Sequence, residues 1–129
     1  MEQSPRIIVD KMLSAFATGD VETILQTVSE DTHWIYHGTQ VIPKAEFKGK
    51  EGVEKFFAGI LNGTDMLKFE PGQYIIQDNV VVILGNEHQR VKKSGKELKQ
   101  KWVQIYTVNN NLITKMEEFA TSEVVQKND

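Results

Sequence analysis

Four long runs of strand-favouring residues fill the second half of the chain, and they constrain its fold more than any other feature. They cover Leu67–Gln77, Val80–Lys92, Glu97–Val108 and Leu112–Thr121. Turn residues separate them: Asp78-Asn79, Ser94-Gly95 and the Asn109-Asn110-Asn111 triplet. Asn and Gly tolerate the positive φ angles that hairpin turns require. The pattern predicts a long antiparallel meander, which must twist and curl because extended sheets do not stay flat.

The first half of the chain predicts three amphipathic helices and one strand. Ser4-Pro5 suits a helix start, and Gly19 ends that helix before a second one from Asp20 to about Ser29. A strand at Thr32–His37 precedes a third helix from about Glu51, whose apolar residues recur at helical spacing: Val53, Phe56, Phe57, Ile60 and Leu61. We therefore expect an α+β fold in which three N-terminal helices pack in the concave face of a strongly curved, mostly antiparallel sheet. This cone would contain a central cavity.

Length and charge limit the function classes. The 129 residues predict one domain spanning 1–129, and the net charge of −3 gives no reason to expect a nucleic-acid partner. Lysines cluster between Lys92 and Lys101, but Glu87 and Glu97 lie near them, which favours a solvated hairpin. With no signal-like segment and no apolar run of membrane length, we expect a cytoplasmic protein that does not contact a membrane.

The sequence predicts neither a metal site nor a cofactor. Cysteine is absent, which excludes thiolate ligands, thiol nucleophiles and disulfides. His33 and His37 lie on a predicted strand, where four residues span roughly 13 Å, too far for one metal ion to bridge. The common phosphate-binding and metalloprotease motifs are absent as well.

Three segments carry a resemblance to a known family: AFATGDVETILQTVSEDTHW, FKGKEGVEKFF and NNNLITKMEEF. They resemble SnoaL-like and ketosteroid-isomerase-related proteins of the nuclear-transport-factor-2-like superfamily. The resemblance extends from about Arg6 to Thr121 and implies the cone-shaped fold. It does not imply one function, because this fold carries enzymes, binding proteins and assembly domains.

The resemblance also indicates which family residues this chain lacks. Ketosteroid isomerase uses an Asp base and an oxyanion hole formed by a Tyr and a protonated Asp. By resemblance, Tyr36 stands at the position of the base, Met12 at that of the oxyanion-hole Tyr and Val103 at that of its Asp partner. Phe57 replaces a supporting Tyr. Steroid isomerisation by that mechanism is therefore not expected.

The same resemblance implies a mostly apolar pocket with two polar groups, Glu118 and Tyr36. The expected ligand-binding residues are Met12, Trp34, Phe57, Val103, Met116 and Ala120. A carboxyl group in such a pocket has a raised pKa, because desolvation disfavours its charged form. Polyketide cyclases similar to this family use an acidic residue on a late strand for proton transfer. We hypothesise that Glu118 acts as the acid or base and Tyr36 as a hydrogen-bond donor.

The register of the last hairpin leaves the environment of Glu118 open. If the turn uses Asn109-Asn110, Lys101 lies opposite Glu118 and the two side chains pair. If the turn uses Asn110-Asn111, Val103 lies opposite instead. A one-residue shift or bulge would send Glu118 to the outer face of the sheet.

A homodimer is predicted through the outer face of the sheet. We expect this face to carry Trp102, Gln104, Tyr106 and Phe119. A large apolar, aromatic surface on a protein usually marks an interface. If the two faces are exchanged, Trp102, Gln104 and Tyr106 line the pocket instead.

Three function hypotheses remain at this point. The first is a small acid–base enzyme acting on a compact apolar substrate. The second is a non-catalytic module that binds an apolar small molecule, and the third is a dimeric assembly domain that works through the outer face.

Overall fold

The computed structural model describes residues 4–126, which form three helices and a six-stranded sheet. The helices are α1 (Pro5–Ala17), α2 (Val21–Gln26) and α3 (Gly49–Gly63). The strands are β1 (Val28–Tyr36), β2 (Ala45–Lys48), β3 (Thr64–Gln77), β4 (Val80–Val91), β5 (Glu97–Asn109) and β6 (Leu112–Val124). The sheet order is β2-β1-β6-β5-β4-β3, and all neighbours are antiparallel except β1 and β6, which run parallel. The sheet is not closed, and the predicted α+β cone is confirmed.

The junction between α2 and β1 differs from the prediction. Asp20 caps α2 as expected, accepting a hydrogen bond from the Thr23 amide at 3.1 Å. The helix then ends at Gln26, where the prediction continued it to about Ser29. The Ile113 amide donates to the Thr27 carbonyl at 2.8 Å, so the chain is already held against β6 and enters β1 at Val28. Tertiary pairing overrides the helical pattern of the last residues.

The loop between Gly38 and Pro43 leads into a strand that the sequence pattern did not predict. This strand, β2, has four residues, and it pairs with the outer edge of β1. Phe47 on β2 packs edge to face against Phe56 of α3, with ring centroids 5.2 Å apart. The short strand thus closes the side of the cone next to α3.

Aromatic side chains join the helices to the concave face of the sheet. The ring of Phe57 on α3 lies 5.4 Å from Trp34 of β1 and 5.5 Å from Phe16 of α1, measured between centroids. Trp34 also contacts Tyr106 of β5 at 6.2 Å. Such tilted and edge-to-face contacts favour a fixed arrangement of the rings. Among the described residues, no helix is long and apolar enough to cross a membrane.

The final hairpin forms the second of the two expected turns, but it does not keep the register that this turn implied. Its turn uses Asn110-Asn111, both with positive φ, and Asn109 pairs with Leu112. A register shift then follows, in which Val108 pairs with Ile113 but Thr107 pairs with Lys115. From this bulge onward Gln104 lies opposite Glu118, so neither Lys101 nor Val103 is its partner.

The bulge reverses the two faces that were predicted for β5. Parallel pairing with β1 keeps Glu118 facing inward, and the extra residue of the bulge, Thr114, lies on β6. The alternation of β5 is unbroken, so Gln104 rather than Val103 lies opposite Glu118 on the inward face. Trp102, Gln104 and Tyr106 are buried on the concave side, and placing them on the outer face was wrong. Val103 pairs with the exposed Phe119 on the outer face, so its expected place in the pocket was wrong too.

Substitution of Gly85 tests the packing of β4 against β5, and Gly59 on α3 serves as the control position. A Cβ at Gly85 would collide with the Trp102 ring and with the Glu70 carbonyl oxygen, whereas a Cβ at Gly59 on α3 meets no atom within 4 Å. We expect Gly85→Ala to lower the free energy of unfolding by about 1–3 kcal/mol through overpacking. Gly59→Ala should raise it by about 0.5–1 kcal/mol, because alanine loses less entropy in a helix.

Urea denaturation of both variants and the wild type measures these differences. If Gly85→Ala unfolds at the wild-type urea concentration, the close approach of the Trp102 ring to the Gly85 backbone is wrong.

Candidate functional site

A cavity of about 350 Å³ lies between the concave face of the sheet and the helices. Its helical wall is apolar and is formed by Met12, Leu13, Phe16, Phe56, Phe57 and Ile60. Its sheet wall carries most of the polar groups: Tyr36, Glu87, Gln89, Gln100, Gln104 and Glu118. The volume falls in the range of small-molecule sites, which combine apolar walls with a few polar groups.

The structure brings most of the predicted pocket residues together. Met12, Trp34, Tyr36, Phe57, Met116 and Glu118 all line the cavity. Ala120 packs against the core but does not line the cavity, and Val103 lies outside it. Trp34 and Tyr36 on β1 alternate inward with the period of two that a strand imposes.

Glu118 is the buried carboxyl of the cavity. It lies on β6 between Tyr36 of β1 and Gln104 of β5, and the residue is 5% exposed. Gln104 Nε2 donates a hydrogen bond to Glu118 Oε1 at 2.8 Å, and the Tyr106 hydroxyl donates to Gln104 Oε1 at 2.7 Å. Burial raises the pKa of Glu118 to about 7, although the hydrogen bond from Gln104 opposes this shift. A carboxyl group with such a pKa can gain or lose a proton near neutral pH.

Glu87 is a second carboxyl group in the cavity, and sequence reasoning missed it. It lies on β4 opposite Gln100 of β5. Burial, and then the charge of Glu118, raise the pKa of Glu87 to about 8. The lysines of the neighbouring hairpin suggested a solvated environment. The period of two along β4 could have revealed its direction. Glu87 lies four residues after Ile83 and two before Gln89, so it shares their inward face.

Tyr36 supplies a hydroxyl next to these carboxyl groups. Its OH donates to Gln100 Oε1 at 3.3 Å, and the residue is partly buried. Burial, followed by the charges of Glu118 and Glu87, raises the pKa of Tyr36 well above its ordinary value. The hydroxyl therefore stays protonated and can serve as a hydrogen-bond donor to a bound molecule.

The three histidines lie outside the cavity and pair with separate carboxylates. His37 Nε2 is 2.9 Å from Glu117 Oε2, and its ring stacks on Phe119 with centroids 4.2 Å apart. His33 pairs with Glu46 at 3.4 Å, and His88 with Glu97 at 2.9 Å. Within residues 4–126 no three acidic or histidine side chains converge as metal ligands would.

Comparison with known families identifies this cavity-bearing fold. Residues 9–116 match the family model of the SnoaL-like domain, which is most of the chain. The chain belongs to the SnoaL-like family. It thereby falls within the nuclear-transport-factor-2-like superfamily, as the sequence resemblance implied. No curated protein matches the chain.

Solved structures of several proteins share the fold at low sequence identity. A nuclear transport factor 2-like protein from Burkholderia xenovorans LB400 is 22% identical, with a TM-score of 0.81, over 93% of this chain and 91% of its own. TerC, co-crystallized with polyporic acid, is 21% identical, with a TM-score of 0.75, over 91% of each chain. A computationally designed 17-OHP binder is 20% identical, with a TM-score of 0.75, over 94% of this chain and all of its own. At these identities the likeness establishes the fold of this SnoaL-like protein.

The two raised pKa values predict how the stability of the protein depends on pH. A carboxyl group whose pKa is higher in the folded state binds more protons there than in the unfolded chain. The free energy of unfolding should therefore fall as pH rises from about 5 to 8, by an amount on the order of a few kcal/mol. The variant Glu87→Gln/Glu118→Gln should show a much flatter profile across this range.

Urea denaturation at closely spaced pH values measures this dependence. The matched control is Glu54→Gln, which removes an exposed carboxylate from α3 and should keep the wild-type slope. The carboxylates of Glu46 and Glu117 have lowered pKa values, so their contributions change at lower pH than this window. Parallel profiles for the wild type and the double variant would contradict the burial of the two carboxyl groups.

Proposed function

We propose that this protein is an acid–base enzyme that acts on a compact, largely apolar small molecule, with Glu118 as the proton-transfer residue. The observation that carries this proposal is the position of Glu118, a buried carboxyl at the wall of an apolar cavity. A hydrogen bond from Gln104 holds its Oε1 atom. A general acid or base works best when its pKa lies near the working pH, and burial brings Glu118 there.

The surrounding groups suit proton transfer at a carbon or oxygen atom of the substrate. Ionised Glu118 takes the proton. The Tyr36 hydroxyl exchanges its long 3.3 Å hydrogen bond to Gln100 for one to the substrate oxygen on which negative charge develops. Tyr36 and Glu118 are direct neighbours across β1 and β6, so one substrate group can reach both. The aromatic wall is apolar and lowers the local dielectric constant, which strengthens both interactions.

Two neighbours of the same fold support a small-molecule function. TerC was crystallised with polyporic acid, and another neighbour was designed to bind 17-OHP. Both observations concern those proteins. They support a small organic molecule as the occupant of the corresponding cavity here.

A non-catalytic binding module is the second candidate. The mostly apolar lining favours it, because such a cavity can retain a ligand without chemistry. Binding without turnover, unaffected by the replacement of Glu118, would distinguish this function from the enzyme.

Hydrogen–deuterium exchange in D₂O tests the proton-transfer proposal directly. A panel of compact cyclic ketones and amino ketones is followed by NMR at the carbon next to the carbonyl. We expect the wild type to accelerate exchange for part of the panel, and Glu118→Gln to lower the rate at least about 100-fold. Glutamine retains an oxygen that can accept from Gln104, so the variant should fold.

The matched control is Glu123→Gln, which changes an exposed carboxylate on the same strand and should leave the exchange rate unchanged. Wild-type exchange that survives in Glu118→Gln would refute the role of Glu118. Tight retention of a panel compound without exchange would favour the binding module.

We further propose that the protein forms a homodimer through the outer face of the sheet. The reversed register of β5 gives this surface different residues from those first expected. Phe119 is 46% exposed, Ile75 49% and Leu84 38%, and Val103 and Ile105 lie between them on β5. Exposed apolar side chains that share one face favour an interface.

Sedimentation equilibrium tests the dimer. We expect a mass of twice 14.7 kDa for the wild type, and a dissociation constant at least about tenfold higher for Phe119→Asp, since buried aromatics dominate interfaces. Ile7→Asp removes an exposed apolar residue from α1 and should not change the dissociation constant. A monomeric wild type would exclude the homodimer.

A further inference from the structure

The charges that line the cavity all have one sign. Glu87 and Glu118 are its acidic residues, and no Lys, Arg or His is among the described residues that line it. The neighbouring polar side chains are the amides of Gln89, Gln100 and Gln104. An amide donates a hydrogen bond to a carboxylate, as Gln104 does to Glu118, but it does not neutralise the charge.

We propose that the cavity binds an organic cation, namely a compact apolar molecule that carries a protonated amine, and that Glu87 provides the counter-charge. This inference rests on the proposed role of the cavity as a small-molecule site and names the class of molecule that it takes. Glu118 remains the proton-transfer residue. The amine anchors the substrate, and Glu87 is a binding residue that takes no part in the proton transfer.

The cavity should prefer a cation to an anion or a neutral molecule because its carboxyl groups are desolvated. A buried carboxylate is costly unless it is paired, and an ammonium group recovers this cost by forming a charge-assisted hydrogen bond. A bound organic anion would instead face two acidic side chains in a site of low dielectric constant. A neutral ligand would leave the ionised carboxyl without a partner.

The remaining walls suit a cation with an apolar body. The rings of Trp34, Phe56 and Phe57 lie within about 6 Å of one another and, with Tyr36 and Tyr106, surround the cavity. The face of an aromatic ring attracts a cation, most strongly where water is excluded. The cavity thus offers apolar walls for the body of the molecule and attracts positive charge.

The titratable groups around Glu87 determine how binding depends on pH. Glu118 on β6, Tyr36 on β1 and Tyr106 on β5 share the cavity with it, and the helical wall contributes no titratable side chain. On its other side, Glu87 also borders a polar depression that is lined by Lys68, His88, Lys99, Lys101 and Glu123. Lys68 pairs with Glu70 at 2.6 Å rather than with Glu87. Burial and the charge of Glu118 raise the pKa of Glu87, and no lysine is among the causes of that shift.

Binding of an amine should release protons. Glu87 is mostly protonated at pH 7 because its pKa is about 8, and an ammonium group binds the ionised form. The affinity for an amine should therefore rise with pH, by up to about tenfold per unit below the pKa of Glu87. The amine itself stays largely protonated up to pH 8.5, although a benzylic amine is a somewhat weaker base than a lysine side chain. A neutral alcohol of the same shape should lack this dependence.

Isothermal titration calorimetry with three probes of one shape tests the proposal: benzylamine, benzyl alcohol and benzoate. At pH 8.5 we expect benzylamine to bind at least about tenfold more tightly than benzyl alcohol. This ratio corresponds to the free energy of one hydrogen bond to a charged group. Its affinity should fall between pH 8.5 and 6. Two buffers of different protonation enthalpy should reveal proton release on binding.

The variant Glu87→Gln should lose at least about tenfold in benzylamine affinity and keep its affinity for benzyl alcohol, which shows that the cavity is intact. Glu54→Gln on α3 is the control and should bind like the wild type. Equal or tighter binding of the alcohol or of benzoate would overturn the proposal. So would unchanged benzylamine affinity in Glu87→Gln, or no benzylamine binding at millimolar concentration.

These results are separable from the proposed acid–base function. Binding is measured without turnover, so Glu118→Gln can lose hydrogen exchange while the preference for the amine persists. Conversely, an enzyme that exchanges neutral ketones but does not prefer benzylamine would retain its catalytic assignment and refute the organic cation.

Discussion

The parallel pairing of β1 with β6 determines where the chemistry of this protein lies. Trp34 pairs with Met116 and Tyr36 with Glu118, so four cavity residues are set by one pair of strands. Side-chain hydrogen bonds support the junction, because Thr32 Oγ1 donates to the Ile113 carbonyl at 2.8 Å and accepts from Trp34 Nε1 at 3.1 Å. The first of these contacts joins residues that are 81 positions apart in the sequence. Once they form, β6 cannot turn Glu118 outward without breaking its pairing to β1.

The cavity carries a cost in stability. Ionising Glu87 or Glu118 in the folded protein is harder than in the unfolded chain, since burial raises both pKa values. A core built for stability alone would place apolar side chains at these positions, as it does at Ile83 and Met116. No cationic side chain among the described lining residues neutralises these two carboxyl groups. They are therefore more readily explained by a ligand than by folding, because costly groups concentrate at functional sites.

Local sequence signals predicted the elements well and their faces less well. The periodicity of α3 and the Asn and Gly turns are strong local signals, and the structure has the helix and the hairpins at those positions. The faces of β5 were ambiguous, because Trp102 and Tyr106 alternate with the equally apolar Val103 and Ile105. The bulge that adds Thr114 to β6, opposite Thr107 and Val108, decides between them, and it depends on how β6 is held by β1. The pairing of β1 with β6 is long-range in sequence, so the residues of β5 alone do not predict it.

The direction of the Glu87 side chain was also not predictable from its immediate sequence neighbours. Its sequence neighbours are polar and charged, and local composition favoured a solvated hairpin. Its inward direction follows from the alternation that starts at Val81 and Ile83, six and four residues earlier, and from the curvature that brings β4 over the cavity. A period of two carried through the whole strand would have placed it inward, whereas its local charge environment pointed outward.

The choice of glutamine next to Glu118 is consistent with proton exchange near neutral pH. The Tyr106 hydroxyl donates to Gln104 Oε1, which leaves the Nε2 group of the same amide directed at the carboxyl. This two-step chain orients Glu118 with a neutral donor. A lysine or arginine at position 104 would orient the carboxyl equally well but would lower its pKa, because a cation stabilises the ionised form. A neutral amide thus combines a fixed geometry with a carboxyl that still exchanges its proton, and it leaves the positive charge to be supplied by the bound molecule.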